Sequence, residues 1–180
     1  MSGPEFLFSF FGLLLGLAVA NIATGFGEMW RGRQRWKIGL ATPLLGLFVM
    51  LAVSQQWLAF WRARTIVDIE PLLLLASIGV AFPYIFLSSA MYPRTEDQVG
   101  ALDDYYLAHS RTFMIALMVP TIVNALVNIG IGGTFLRGAI PYYSLRLGIP
   151  LVLLFWRRLG AHYAGLSLLI LTMLVRIFDM

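Results

Sequence analysis

Residues 6–26 read FLFSFFGLLLGLAVANIATGF, a run without a single charge. An α-helix rises about 1.5 Å per residue and a bilayer's hydrocarbon core is about 30 Å thick, so about 20 apolar residues cross it. This run is long enough. In lipid the backbone must satisfy its own hydrogen bonds, which makes a helix the expected conformation for it. Comparable runs occupy approximately 38–61, 71–92, 113–131, 142–156 and 159–178, with charges compressed into the short gaps. The expected fold is therefore all-α, a polytopic transmembrane helix bundle with six spans. Five is the alternative count, because 142–156 is short and carries Arg146 near its start.

Composition agrees with lipid as the main solvent. The 180 residues are 59% hydrophobic and 12% charged, with a mean hydropathy of +0.81. Soluble domains are roughly half apolar and a quarter charged. No polar stretch is long enough to fold separately, so residues 1–180 are read as one integral membrane domain. The net charge of +4 does not indicate nucleic acid, because the basic residues sit at helix ends instead of sharing one face. No cysteine is present, which excludes disulfides, thiolate metal sites and thioether haem attachment. The sole lysine, Lys37, lies in a basic loop and is ill placed for a retinal Schiff base. Nothing besides His109 and His162 supports haem, and no cofactor is expected. Walker A, potassium-filter and serine-triad signatures are not found.

Orientation follows from the charges. Residues 1–5 hold no Lys or Arg, and the run after them is longer than a cleaved signal's apolar region, so it reads as a permanent first helix. A tail charged only by Glu5 crosses a membrane more readily than a basic one, which favours an outside N-terminus. Six spans then put Arg31, Arg33, Arg35, Lys37, Arg94, Arg111, Arg157 and Arg158 inside. Arg62, Arg64, Arg137, Arg146 and Arg176 fall outside. Trp30, Trp36, Trp57, Trp61, Tyr92, Tyr142, Tyr143 and Trp156 lie near span ends, as headgroup-level aromatics do. Short connections predict that sequential helices pack as antiparallel neighbours. The exception is 93–111, where an acidic, helix-breaking stretch leads into 101–111. There Leu102, Tyr106 and His109 share a face, which predicts a short interfacial helix before the fourth span. The basic loop with Tyr105, Tyr106, His109 and Arg111 resembles small bacterial multi-pass membrane proteins in general. That resemblance implies a bacterial inner membrane and carries no activity.

Polar residues within spans are the candidates for function. Asn21, Gln55, Gln56, Asn124 and Asn128 would each cost several kcal/mol if left unsatisfied in hydrocarbon, so they should face helices or water. Asn21, Gln55, Asn124, Asn128 and Arg146 form the candidate polar path, and interhelical clamping is the structural alternative. Arg146 either lies deep, as an anion ligand or partner of Asp68 or Glu70, or snorkels to the headgroups; the snorkel is the favoured reading. Gly12, Gly16, Ala20 and Thr24 recur at a spacing of four. That stripe is a packing seam, expected within the chain, with a homo-oligomer or membrane-protein partner as the alternative. Arg31, Arg33, Arg35 and Lys37 are candidate contacts for anionic lipid.

All nine carboxylates fall in loops or at helix ends, which speaks against a relay of buried acids. Asp103, Asp104 and His109, with Glu96 and Asp97, make the one cluster resembling a metal or lipid-acting catalytic site, and their helical spacing is poor for sharing a face. No metal site is assigned. Pro43, Pro83, Pro120 and Pro150 lie within spans two to five and would bend them. The expected function is a small helical transporter or channel with a polar inter-helix path. The alternative is a non-catalytic partner, sensor or scaffold subunit that binds protein or anionic lipid.

Overall fold

A computed structural model describes residues 3–34, 37–63, 71–93, 100–130 and 136–178. Its six helices are α1 (Gly3–Arg31), α2 (Ala41–Ala63), α3 (Pro71–Ala90), α4 (Leu102–Gly130), α5 (Leu136–Phe155) and α6 (Leu159–Phe178). The chain is an all-helical membrane bundle. Among the described residues five helices are long and apolar enough to cross a bilayer, and the sixth, α5, contributes the shorter apolar stretch Ile140–Phe155. The stretch expected as an interfacial helix is continuous with the fourth span. α4 has 29 residues, about 43 Å at 1.5 Å each, so its first turns extend past the hydrocarbon.

Packing departs from the sequential order. Around the bundle α1, α3, α4, α5, α6 and α2 follow one another, each touching the next, and α2 also reaches α4 and α3. Consecutive α2 and α3 meet only narrowly. Lipid tails are as apolar as leucine, so helices choose neighbours by fit and polar contacts, not by a short connection. α1 shows the consequence, burying Phe11, Leu15, Ala18 and Ile22 and leaving Leu13 and Leu17 outward. Close approach is needed at Gly25, where a Cβ would run into the Tyr92 ring.

Two ends can be distinguished. The basic end holds the stretches between α1 and α2, α3 and α4, and α5 and α6; the far end holds the start of α1 and the end of α6. At the basic end Lys37 pairs with Ala101 through a backbone bridge, Leu102 N–H donating to the Lys37 carbonyl at 3.1 Å. Pro43 lies in the first turn of α2, where its missing N–H costs nothing. It does not bend a span as expected. Pro83, Pro120, Pro141 and Pro150 do lie inside helices.

Candidate functional site

Polar residues from α2, α4, α5 and α6 converge in the far half of the bundle. Gln55, Gln56 and Ala59 of α2 face Thr121, Asn124 and Asn128 of α4 across a cavity of about 150 Å³. Tyr142, Tyr143 and Arg146 of α5 and Arg176 in the last turn of α6 complete the lining. The convergence has a local cause. Gln55 and Gln56 occupy adjacent helical positions, so one turns toward α5 while the other turns toward α4. Asn124 and Asn128 are one turn apart and share a face.

Hydrogen bonds close most of this shell. Gln56 and Asn124 exchange two amide bonds, each 3.0 Å, and Asn124 also donates to the Pro120 carbonyl at 2.8 Å. Asn128 donates to the Tyr143 hydroxyl at 3.0 Å and to the Asn124 carbonyl at 2.8 Å. The Tyr142 hydroxyl donates to Gln55 Oε1 at 2.6 Å and accepts from Arg146 Nη1 at 2.6 Å. Gln55 is 7% exposed, and its amide Nε2 is buried without a partner among the described residues.

Arg146 is the central charge. It lies near the middle of α5 and is 8% exposed. The snorkelling expected from sequence does not occur, because tyrosines hold the guanidinium inside the bundle. Its polar partners among the described residues are the hydroxyls of Tyr142 and Tyr84, the latter 3.5 Å from Nη2. The guanidinium carbon also lies 5.2 Å from the Tyr142 ring centroid and 5.7 Å from that of Phe48. Ring faces and phenol oxygens are attractive to a cation, but they carry no full negative charge. Asp68 and Glu70, the partners suggested by sequence, lie outside the described residues. Pro150 has no N–H to give the Arg146 carbonyl, which loosens α5 at this point.

Phe48 precedes Gln55 by seven residues, about 10 Å nearer the basic end along α2. Phe48 and Tyr84 are both buried and lie against Arg146. Toward the far end, half-buried Arg176 lies 5.4 Å from the Tyr142 ring centroid.

Four of the five residues of the expected polar path, Gln55, Asn124, Asn128 and Arg146, thus line one cavity. Asn21 does not. It donates to the Ser88 hydroxyl at 3.3 Å and clamps α1 to α3. Polarity predicts that Asn21 avoids lipid, but α3 supplies its partner away from the chamber. Tyr142 and Tyr143 are the residues that sequence reading assigned to the membrane boundary and the fold turns inward. Their clue was spacing, since Tyr142 and Arg146 stand one helical turn apart.

The other candidates are dispersed. Gly16, Ala20 and Thr24 are exposed and Gly12 is half-buried, an added Cβ there meeting only Trp57 at 3.5 Å. The expected seam within the chain is not formed, because α1 packs through the bulkier stripe beginning at Leu7 and Phe11. Arg31, Arg33 and Lys37 are exposed, with Arg33 over the Trp30 ring at 4.4 Å. Arg35, Glu96 and Asp97 lie outside the described residues. No group of three or more acidic or histidine side chains among the described residues is placed to hold a metal. Asp104 and His109 are exposed, and His109 Nδ1 meets the Tyr105 carbonyl at 3.0 Å.

Asp103 has a role that its loop-end position did not reveal. It accepts the Ala41 N–H at 3.1 Å and the Tyr163 hydroxyl, tying the starts of α2 and α4 to α6. Gly39 is needed beside it, because a Cβ would strike the carboxylate. Nearby, buried Tyr106 and His162 share a 3.0 Å hydrogen bond. A second, larger groove of about 720 Å³ runs between α5 and α6, lined mainly by apolar residues such as Ile149, Val152, Leu153 and Ala164.

Comparison with known proteins finds no match to a family model, a curated protein or a solved structure.

Proposed function

We propose that this integral membrane protein is a small helical transporter with its solute chamber in the far half of the bundle. The supporting observation is the cavity of about 150 Å³ bounded by amides, phenols and a buried Arg146 from neighbouring helices. A charged side chain buried inside a membrane bundle is costly, and such residues commonly mark substrate or ion paths. In this reading Arg176 marks the mouth, and Arg146, Tyr84 and Phe48 close the floor. One-sided access suits a carrier better than an open channel, and proline-loosened α5 is the element placed to move. The basic-end loops face the cytoplasm of a bacterial inner membrane and the N-terminus faces outside, following the Lys and Arg bias.

Reconstitution tests this reading. Purified protein in liposomes should move a small solute, and Asn124→Leu should reduce the rate at least tenfold. No flux across a broad panel of ions and small polar solutes would sink the proposal.

The exposure of Gly16, Ala20 and Thr24 favours a second reading, a partner or scaffold subunit that docks another membrane helix on α1. Replacing Gly12 and Gly16 with Leu would then abolish an oligomer or a co-purifying protein. Unchanged assembly would remove that reading.

A further inference from the structure

The chamber's donors outnumber its acceptors, and its charge is positive. Gln55 commits its carbonyl oxygen to Tyr142, leaving a buried amide NH₂ group without a partner among the described residues. Arg146 spends two N–H groups on tyrosine hydroxyls and has further donors in its planar fork. Arg176 brings a second cation to the rim. The remaining amides, Gln56, Asn124 and Asn128, are turned toward one another and toward backbone or phenol oxygens. Arg146 has no carboxylate partner among the described residues; a buried guanidinium held only by neutral oxygens is strained by desolvation, and an anion beside it relieves that strain.

From this we infer that the chamber binds a small monovalent anion between Arg146 and the Gln55 amide, with Arg176 drawing it in. The inference rests on the chamber being a solute site and names the class of solute. Size sets the limit. A cavity of about 150 Å³ corresponds to roughly five waters at about 30 Å³ each. Such a space admits a halide, nitrate or short carboxylate with a little water, and it excludes a bulky polyhydroxy acid. The planar fork of Arg146 suits a two-oxygen anion, and the Gln55 NH₂ adds a donor from the opposite helix.

Thermal unfolding of the full chain in detergent provides the test, with sodium gluconate as the bulky reference and sodium chloride, nitrate and acetate as probes at equal ionic strength. At least one probe should raise the wild-type midpoint by about 3 °C or more. Gln55→Glu places a carboxylate beside Arg146, so it should melt at or above wild type in gluconate and lose the response. Arg146→Lys keeps the charge without the fork and should retain a weakened response. Wild type melting alike in all four salts would overturn the inference, as would an undiminished response in Gln55→Glu. An anion response without flux of that anion leaves this inference standing and removes the transport reading. Flux of a neutral solute with no salt response does the reverse.

Discussion

At the basic end Asp103 is half-buried, while in the far half Arg146 is buried near the middle of α5. The two charges are handled differently. Asp103 lies in the first turn of α4 and accepts the first N–H of α2, so its carboxylate meets two helix N-termini. Tyr163 adds a hydroxyl, and Gly39 lets the chain close over the carboxylate. This is a fastener, in which donors converge on one acceptor and join three helices. Among the described residues Arg146 has phenol oxygens and ring faces for company, and a cavity opens beside it. A polar group that is fully met holds a bundle together, whereas one left partly unmet is available to a ligand.

The contrast can be broken by substitution. The largest change is expected for Asp103→Ala, which strips the Ala41 N–H and the Tyr163 hydroxyl of their acceptor. It should lower stability by about 2 kcal/mol, read as a fall in the detergent melting midpoint, while the anion response of the chamber persists. Arg146→Met should act in the opposite direction. Replacing a poorly compensated buried charge with an apolar side chain should leave the midpoint unchanged or raise stability by about 1 kcal/mol, with flux lost. A fall as large as that of Asp103→Ala would make Arg146 a fastener too. Asn21→Ala should have the smallest effect. It removes one hydrogen bond between α1 and α3, worth about 0.6 kcal/mol in a membrane bundle, and flux should be unchanged. A marked flux defect would return Asn21 to the path.

Particular residues show how far the chain could be read without its fold. The sixth helix was expected at 159–178 and is observed as Leu159–Phe178, because Arg157 and Arg158 end the preceding apolar run. The fourth span was expected from 113 with an interfacial helix over 101–111 running into it, and one helix, α4, covers both from Leu102. Asp103, Asp104, His109 and Arg111 lower the local hydropathy, but they do not interrupt helical hydrogen bonding. Gln55, Asn124 and Asn128 were legible as residues that avoid lipid because a polar amide within an apolar run signals an inward face. The inward turn of Tyr142 and Tyr143 was hidden, since tyrosine is also the usual residue of the membrane boundary.

Sequence alone determined which segments meet lipid and which polar residues avoid it. The hydrophobic length needed to cross a bilayer and the cost of an unsatisfied amide are properties of a segment, independent of its neighbours. Only the tertiary structure decided that α1 lies against α3, that Asn21 clamps while Asn124 lines a cavity, and that Arg146 points inward. These helices are apolar around most of their circumference, so their patterns do not specify rotation or partners. Packing between distant parts of the chain settles both, and it is what gathers the amides, tyrosines and arginines into one chamber.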